Sequence, residues 1–192
     1  MAQYNTPQAI RPLEKLVCDF AYSNGYDPMS VFNDFLRYVI HGFSPGAPPL
    51  MDWKYKRQQN RHFMEMLVGW IRLMQRELQS GEWFDSFGDL FMAISSKSGR
   101  QVNGQFFTPP HICDLMVLCT DTGEKTTGKR ISDPTCGSGR LLLAYHVRHP
   151  GNYLVAEDIS RTCCLMTVCN MLMHGCIGEV IHHDSLCPEN FM

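Results

Sequence analysis

The stretch ISDPTCGSGRLLLAYH, residues 131–146, decides the fold. An apolar lead-in ends on Asp133-Pro134, a run of small residues closes on Gly137-Ser138-Gly139, and a segment with helical spacing follows. Strand, glycine turn and helix in that order are how parallel sheets hold nucleotide-shaped ligands against a helix N-terminus. The dinucleotide form of the turn, GxGxxG, needs a glycine at position 142, where this chain has leucine. A P-loop needs a lysine after the loop, and the nearest cation here is Arg140. Asp133 points the same way, because a carboxylate beside a pyrophosphate repels it. A ligand with positive charge and no phosphate is attracted instead.

Outward from that turn, KRISDPTC (129–136), NYLVAED (152–158) and EVIHHDSL (179–186) read as short strands. Between them, GRLLLAYHVRH (139–149) and SRTCCLMTVCNMLMHG (160–175) have helical spacing, and HICDLMVLC (111–119) adds a helix before the first strand. Strands alternating with such helices predict right-handed crossovers and a parallel sheet, a doubly wound, Rossmann-like α/β fold. Ligands of such sheets lie at the carboxyl ends of the strands. The second strand finishes Ala156-Glu157-Asp158 and the third His183-Asp184-Ser185. Three acidic positions, Asp133, Glu157 or Asp158, and Asp184, are therefore expected around one crevice. A carboxylate after the second strand can accept both ribose hydroxyls. One after the third can accept from an adenine amino group, and Asp133 then faces an ammonium or sulfonium. Ribose, adenine, cationic sulfur and an amino-acid tail together describe S-adenosylmethionine. The plainer reading of each acid alone is a turn or cap residue, and Ser160 and Ser185 stand where helix caps are expected.

Residues 1–100 read as a helical region and 101–192 as the sheet-bearing half. PLEKLVCDFAY (12–22), PMSVFNDFLRYVIHGF (28–43), HFMEMLVGWIRLMQRELQ (62–79) and EWFDSFGDLFMAISSK (82–97) each place apolar residues three and four apart. The last is expected to be capped by Ser80-Gly81, and SPGAPPLM is a loop. Methionine and aromatic stripes here are core packing. The one basic cluster, WKYKRQQNRH (53–62), reads as the solvated start of a helix rather than a phosphate-contacting patch. A net charge of −2 over 192 residues offers no global electrostatic case for nucleic acid. Nine cysteines and the lack of a signal-like N-terminus or a membrane-length apolar run predict a reduced, cytoplasmic setting. Cys169, His174, Cys176, His182 and His183 contain no C-x-x-C pair and read as buried cysteines and a polar strand end, so no metal is expected.

GQFFTPP (104–110) followed by DPTCGSGR (133–140) resembles the N6-adenine DNA methyltransferases, especially the modification subunits of type I restriction systems. AED (156–158) looks like the family's ribose-binding acidic motif, with Glu157 the closest match, and HDSL (183–186) looks like its GDSL. The resemblance covers residues 82–187. It implies a cofactor site made of Gln105, Phe106, Phe107, Thr108, Pro109, Asp133, Pro134, Thr135, Cys136, Gly137, Ser138, Gly139, Glu157, Asp158, Asp184, Ser185 and Leu186. Phe106 to Pro109 would close over the cofactor, and the glycine loop would take its methionine moiety. Independently of that role, Phe106 and Phe107 read as apolar anchors, and Thr108-Pro109 as a helix N-cap with proline in the first turn.

The family pattern continues with an Asn- or Asp-Pro-Pro-aromatic tetrapeptide that holds the flipped target adenine. Pro188-Glu189-Asn190-Phe191 does not match it, so no catalytic residue is expected within these 192 residues. The expected sheet is partial, with an open edge beside Ile131 that invites a second copy or another polypeptide. DNA is the partner that the resemblance implies. Two other readings stand beside the methyltransferase: a non-catalytic S-adenosylmethionine-binding accessory module, and a ligand-free interaction relic.

Overall fold

A computed structural model of the chain describes residues 6–46, 49–50, 53–97, 107–121, 123 and 127–187. Gln105, Phe106 and the PENF segment lie outside the described residues. The chain divides into two compact units, Met1–Glu77 with Asp89–Gly104, and Leu78–Gly88 with Gln105–Met192.

The first unit is built from α1 (Arg11–Ser23), α2 (Pro28–Gly42), α3 (Arg57–Glu77) and the part of α4 (Ser86–Lys97) beyond Gly88. Asp27 caps α2 by accepting the Ser30 N–H at 3.1 Å, with Pro28 at the first helical position. From there Val31, Phe32, Phe35, Leu36 and Val39 form one fully buried stripe. Phe63, Met66, Trp70 and Met74 on α3 are likewise buried. The basic cluster is less solvated than its composition suggests. Lys54 Nζ pairs with Asp34 at 2.9 Å, and the buried Tyr55 donates its hydroxyl to the same carboxylate at 2.9 Å. The alternating aromatic and basic residues thus fasten the start of α3 to α2, and α3 begins at Arg57, earlier than its spacing suggests.

The second unit contains α5 (Pro110–Thr120), β1 (Arg130–Asp133), α6 (Arg140–Arg148), β2 (Tyr153–Asp158), α7 (Arg161–Met173) and β3 (Ile177–His182). All strands are parallel in the order β1-β2-β3, with Asp133 beside Ala156 and Asp158 beside His182. Central β2 is sealed on both faces, with Leu154, Val155 and Ala156 buried, as parallel sheets require. One core layer joins Cys136, Leu142, Leu154, Ala156 and Met171. Another packs Cys113 and Val117 of α5 against Ala144, with Trp83 and Tyr145 beside them.

Three boundaries differ from expectation. β3 ends at His182, so Asp184 and Ser185 belong to the turn that follows, and among the described residues Ser185 caps no helix. Pro109, not Thr108, is the N-cap of α5, with Pro110 first inside it; neither proline has an N–H to leave unpaired. α4 starts at Ser86, because Asp85 rather than Ser80-Gly81 meets its first turn. Asp85 accepts the Gly88 N–H at 2.7 Å, while Ser80 accepts from Glu82. Ser160 does cap α7, accepting from Cys163 N. None of the nine cysteines, all among the described residues, is in a disulfide. Among the described residues no helix is long and apolar enough to cross a membrane.

Candidate cofactor site

The turn after β1 is locked by its two glycines. Gly137 has φ +58° and Gly139, the N-cap of α6, has φ +89°, both in the left-handed region. A Cβ at Gly137 would fall 3.0 Å from the Phe107 ring, and one at Gly139 would fall 3.1 Å from Thr167 Cγ2. Side chains from two other elements therefore fill the space on which the turn closes. Thr167 donates to the Gly137 carbonyl at 3.0 Å, and the Cys136 N–H donates to the Glu157 carbonyl at 2.8 Å. Burial pushes the Cys136 thiol up, so it packs as a neutral group.

The acids divide into two kinds. Asp158 is committed to the backbone, accepting from Gly137 N at 2.9 Å and from Ser160 N at 2.7 Å. It shapes the turn. Glu157 projects next to it and accepts from His183 Nε2 at 2.7 Å, with the two side chains only 13% and 6% exposed. The Ser185 hydroxyl donates to the Pro134 carbonyl at 2.7 Å and lies 3.4 Å from Glu157 Oε2. One hydroxyl thus joins the turn after β3 to the turn after β1 and to the end of β2. Asp184 Oδ1 closes a turn on Leu186 N at 3.0 Å, while the Leu186 side chain stands 93% exposed. Asp133 accepts from Thr135 N at 3.1 Å, and no cation pairs with it among the described residues. Burial holds the Asp133 carboxyl above its usual range, and the negative charge of Asp158 adds to the effect.

A cavity of about 210 Å³ opens beside the turn, lined by Phe107, Thr108, Asp133, Thr135, Gly137 and Arg140 among others. Glu157 and Asp184 are not in that lining. They stand at the ends of β2 and in the turn after β3, where Ser185 connects them to Pro134. Pro109 is spent on the start of α5.

The sequence reading missed Asp85. It is 3% exposed and accepts from Ser138 Oγ at 2.5 Å, Arg140 Nε at 2.6 Å and Asn170 Nδ2 at 2.7 Å, besides Gly88 N. Arg140 passes the link on, donating from Nη1 to the Thr108 carbonyl at 3.1 Å, with its guanidinium 5.6 Å from the centre of the Phe107 ring. The available signal was an aspartate directly before a helical run, which marks a cap but not these partners.

The fold is that of the S-adenosylmethionine-dependent methyltransferases. A Listeria monocytogenes protein assigned to class I of that group superposes with a TM-score of 0.59 at 15% identity, over 94% of this chain and 55% of that one. The type I restriction-modification system methyltransferase subunit from Streptococcus thermophilus gives 0.49 at 19% identity, over 99% of this chain and 42% of that one. The present chain thus spans about half the length of these structures. No curated protein matches it. Residues 83–192 match the family model described as N-6 DNA Methylase. The chain belongs to the N-6 DNA methylase family.

Proposed function

We propose that this chain binds S-adenosylmethionine across the carboxyl ends of β1, β2 and β3 and forms the cofactor-holding part of an adenine-N6 DNA methyltransferase. One observation carries the reading: Asp133, half-buried and with no cation paired to it among the described residues, lines the cavity beside a glycine turn whose free space Phe107 and Thr167 fill. That donor set suits a cationic ligand and disfavours a phosphate. The charge of the cavity lining therefore suits this cofactor. When bound, it supplies a methyl group on a positively charged sulfur.

The chain's own residues then divide the work. Asp133 meets the ammonium or sulfonium charge, and the turn from Thr135 to Gly139 takes the methionyl end, with Phe107 and Thr108 as one wall. Glu157, fixed by His183, accepts from ribose hydroxyls. Asp184 accepts from the adenine amino group, and Ser185 keeps the two acids in register. The family resemblance adds Gln105, Phe106 and Leu186 to the proposed cofactor-binding set. DNA is the substrate class. β1 pairs only with β2 among the described residues, so its other side is open to a further strand.

Calorimetric titration of the 192-residue chain with S-adenosylmethionine tests the reading. Binding is expected, and Glu157→Ala and Asp184→Ala are each expected to weaken it at least about tenfold, the scale of a lost charge-assisted hydrogen bond. Titration without heat, or variants that bind as the unaltered chain does, would sink it.

A further inference from the structure

Arg140 stands in the lining of the cavity and begins the helix that follows the glycine turn. A guanidinium there, at a helix N-terminus, is chemistry suited to a phosphate. Yet the same cavity holds Asp133, whose preference is the opposite. Asp85 resolves the conflict. Its carboxylate lies 2.6 Å from Arg140 Nε, with the two side chains 1% and 9% exposed, so the cation is matched by an anion away from water. Ser138 and Asn170 donate to the same carboxylate, and Asn170 also donates to the Ser138 carbonyl at 2.9 Å. The neutralised pair is thereby fixed to the turn itself. With Arg140 matched, Asp133 is left as the uncompensated charge of the cavity.

We infer that Asp85 is a positioning residue that sets the charge preference of the site: by neutralising and orienting Arg140, it makes the glycine turn favour a cationic adenosyl ligand over an anionic one. The inference rests on the cofactor reading above and extends it to a residue outside the turn, the strand ends and the cavity lining. Two consequences follow from the geometry. Removing the Asp85 charge shifts the balance beside the ligand by one positive charge, which disfavours a sulfonium and favours a diphosphate. Removing both charges restores neutrality, because taking away both members of a buried pair leaves no orphaned charge.

The experiment measures the affinities of the full chain for S-adenosylmethionine and for ADP, as a ratio, in the unaltered protein and in Asp85→Asn, Arg140→Gln and the double variant. Melting curves run alongside. The ratio is expected to fall at least about tenfold in Asp85→Asn, one such factor being 1.4 kcal/mol. It should hold or rise in Arg140→Gln and return towards the unaltered value in the double variant. A merely structural role would weaken both ligands together and leave the ratio unmoved. An equal ratio in all four proteins overturns the inference while leaving the cofactor reading intact. Should Asp85→Asn fail to fold, the Arg140→Gln and double variants carry the test: a higher ratio in Arg140→Gln than in the double variant supports the inference, and equal ratios overturn it. An unaltered chain that binds neither ligand overturns the cofactor reading and this inference with it.

Discussion

Asp133 carries a charge that its partial burial disfavours. Its carboxyl is raised by burial first, and the neighbouring Asp158 adds to it. A raised folded-state value means that stability is full at low pH and is lost as pH rises through that value, so ionised Asp133 works against the empty fold at neutrality. Asp133→Asn is therefore expected to raise the melting temperature of the ligand-free protein by roughly 2–4 °C. The same change should weaken S-adenosylmethionine at least about tenfold and remove the loss of affinity on acidification that is expected of the unaltered chain. Thermal melts and titrations across pH check both halves; a substitution that lowers both quantities contradicts the account. Asp133, Gly137 and Gly139 were legible in the sequence because their conformation and chemistry are local. Asp85 was not. Its partners Ser138, Arg140 and Asn170 lie 53, 55 and 85 residues away, and no local pattern encodes a contact at that range.

At the scale of elements, the start of α4 is held by a long-range bond as well as by its local Asp85 cap. His174, just after α7, accepts the Phe84 N–H on Nε2 at 3.1 Å and donates from Nδ1 to the Asn170 carbonyl at 2.7 Å. Burial lowers the pKa of this imidazole from its ordinary value, and the bond from Phe84 needs the neutral ring. The unfolded chain takes up the proton first, so this anchorage is intact above the ordinary histidine value and is lost as pH falls below it. The melting temperature should drop between about pH 7.5 and about pH 5.5, and drop less in His174→Gln. Equal slopes in the two proteins would place the acid sensitivity elsewhere. Helix periodicity and the three β-rich runs were readable because one repeat covers a whole element. The ends were not: β3 starts at Ile177 and stops at His182, where pairing with β2 begins and ends rather than where its β-rich composition does.

For the whole molecule, the parallel order was accessible from the alternation of strands and helices, and the family match over residues 83–192 agrees with the motifs that suggested it. The split into units was harder to see, because Leu78–Gly88 lies within the helical half of the sequence yet belongs with the sheet. The side of β1 away from β2, unpaired among the described residues, sets the expectation for assembly. Light scattering at rising concentration should show a mass above 22.0 kDa, or mixing with a strand-supplying polypeptide should produce a complex. A monomer that stays soluble and solitary in both trials removes that proposal. The absence of disulfides has a practical side as well. Cys119 is exposed, whereas Cys18 in the first unit and Cys113, Cys136, Cys163, Cys164 and Cys169 in the second are buried. Burial also raises the pKa of Cys113 to about 11 and of Cys163 to about 12, leaving little reactive thiolate. An alkylating reagent consequently meets the exposed Cys119 first, the half-buried Cys176 and Cys187 next, and the six buried thiols only as each unit breathes, so the native chain carries its own separate clocks for the opening of its helical and sheet-bearing parts.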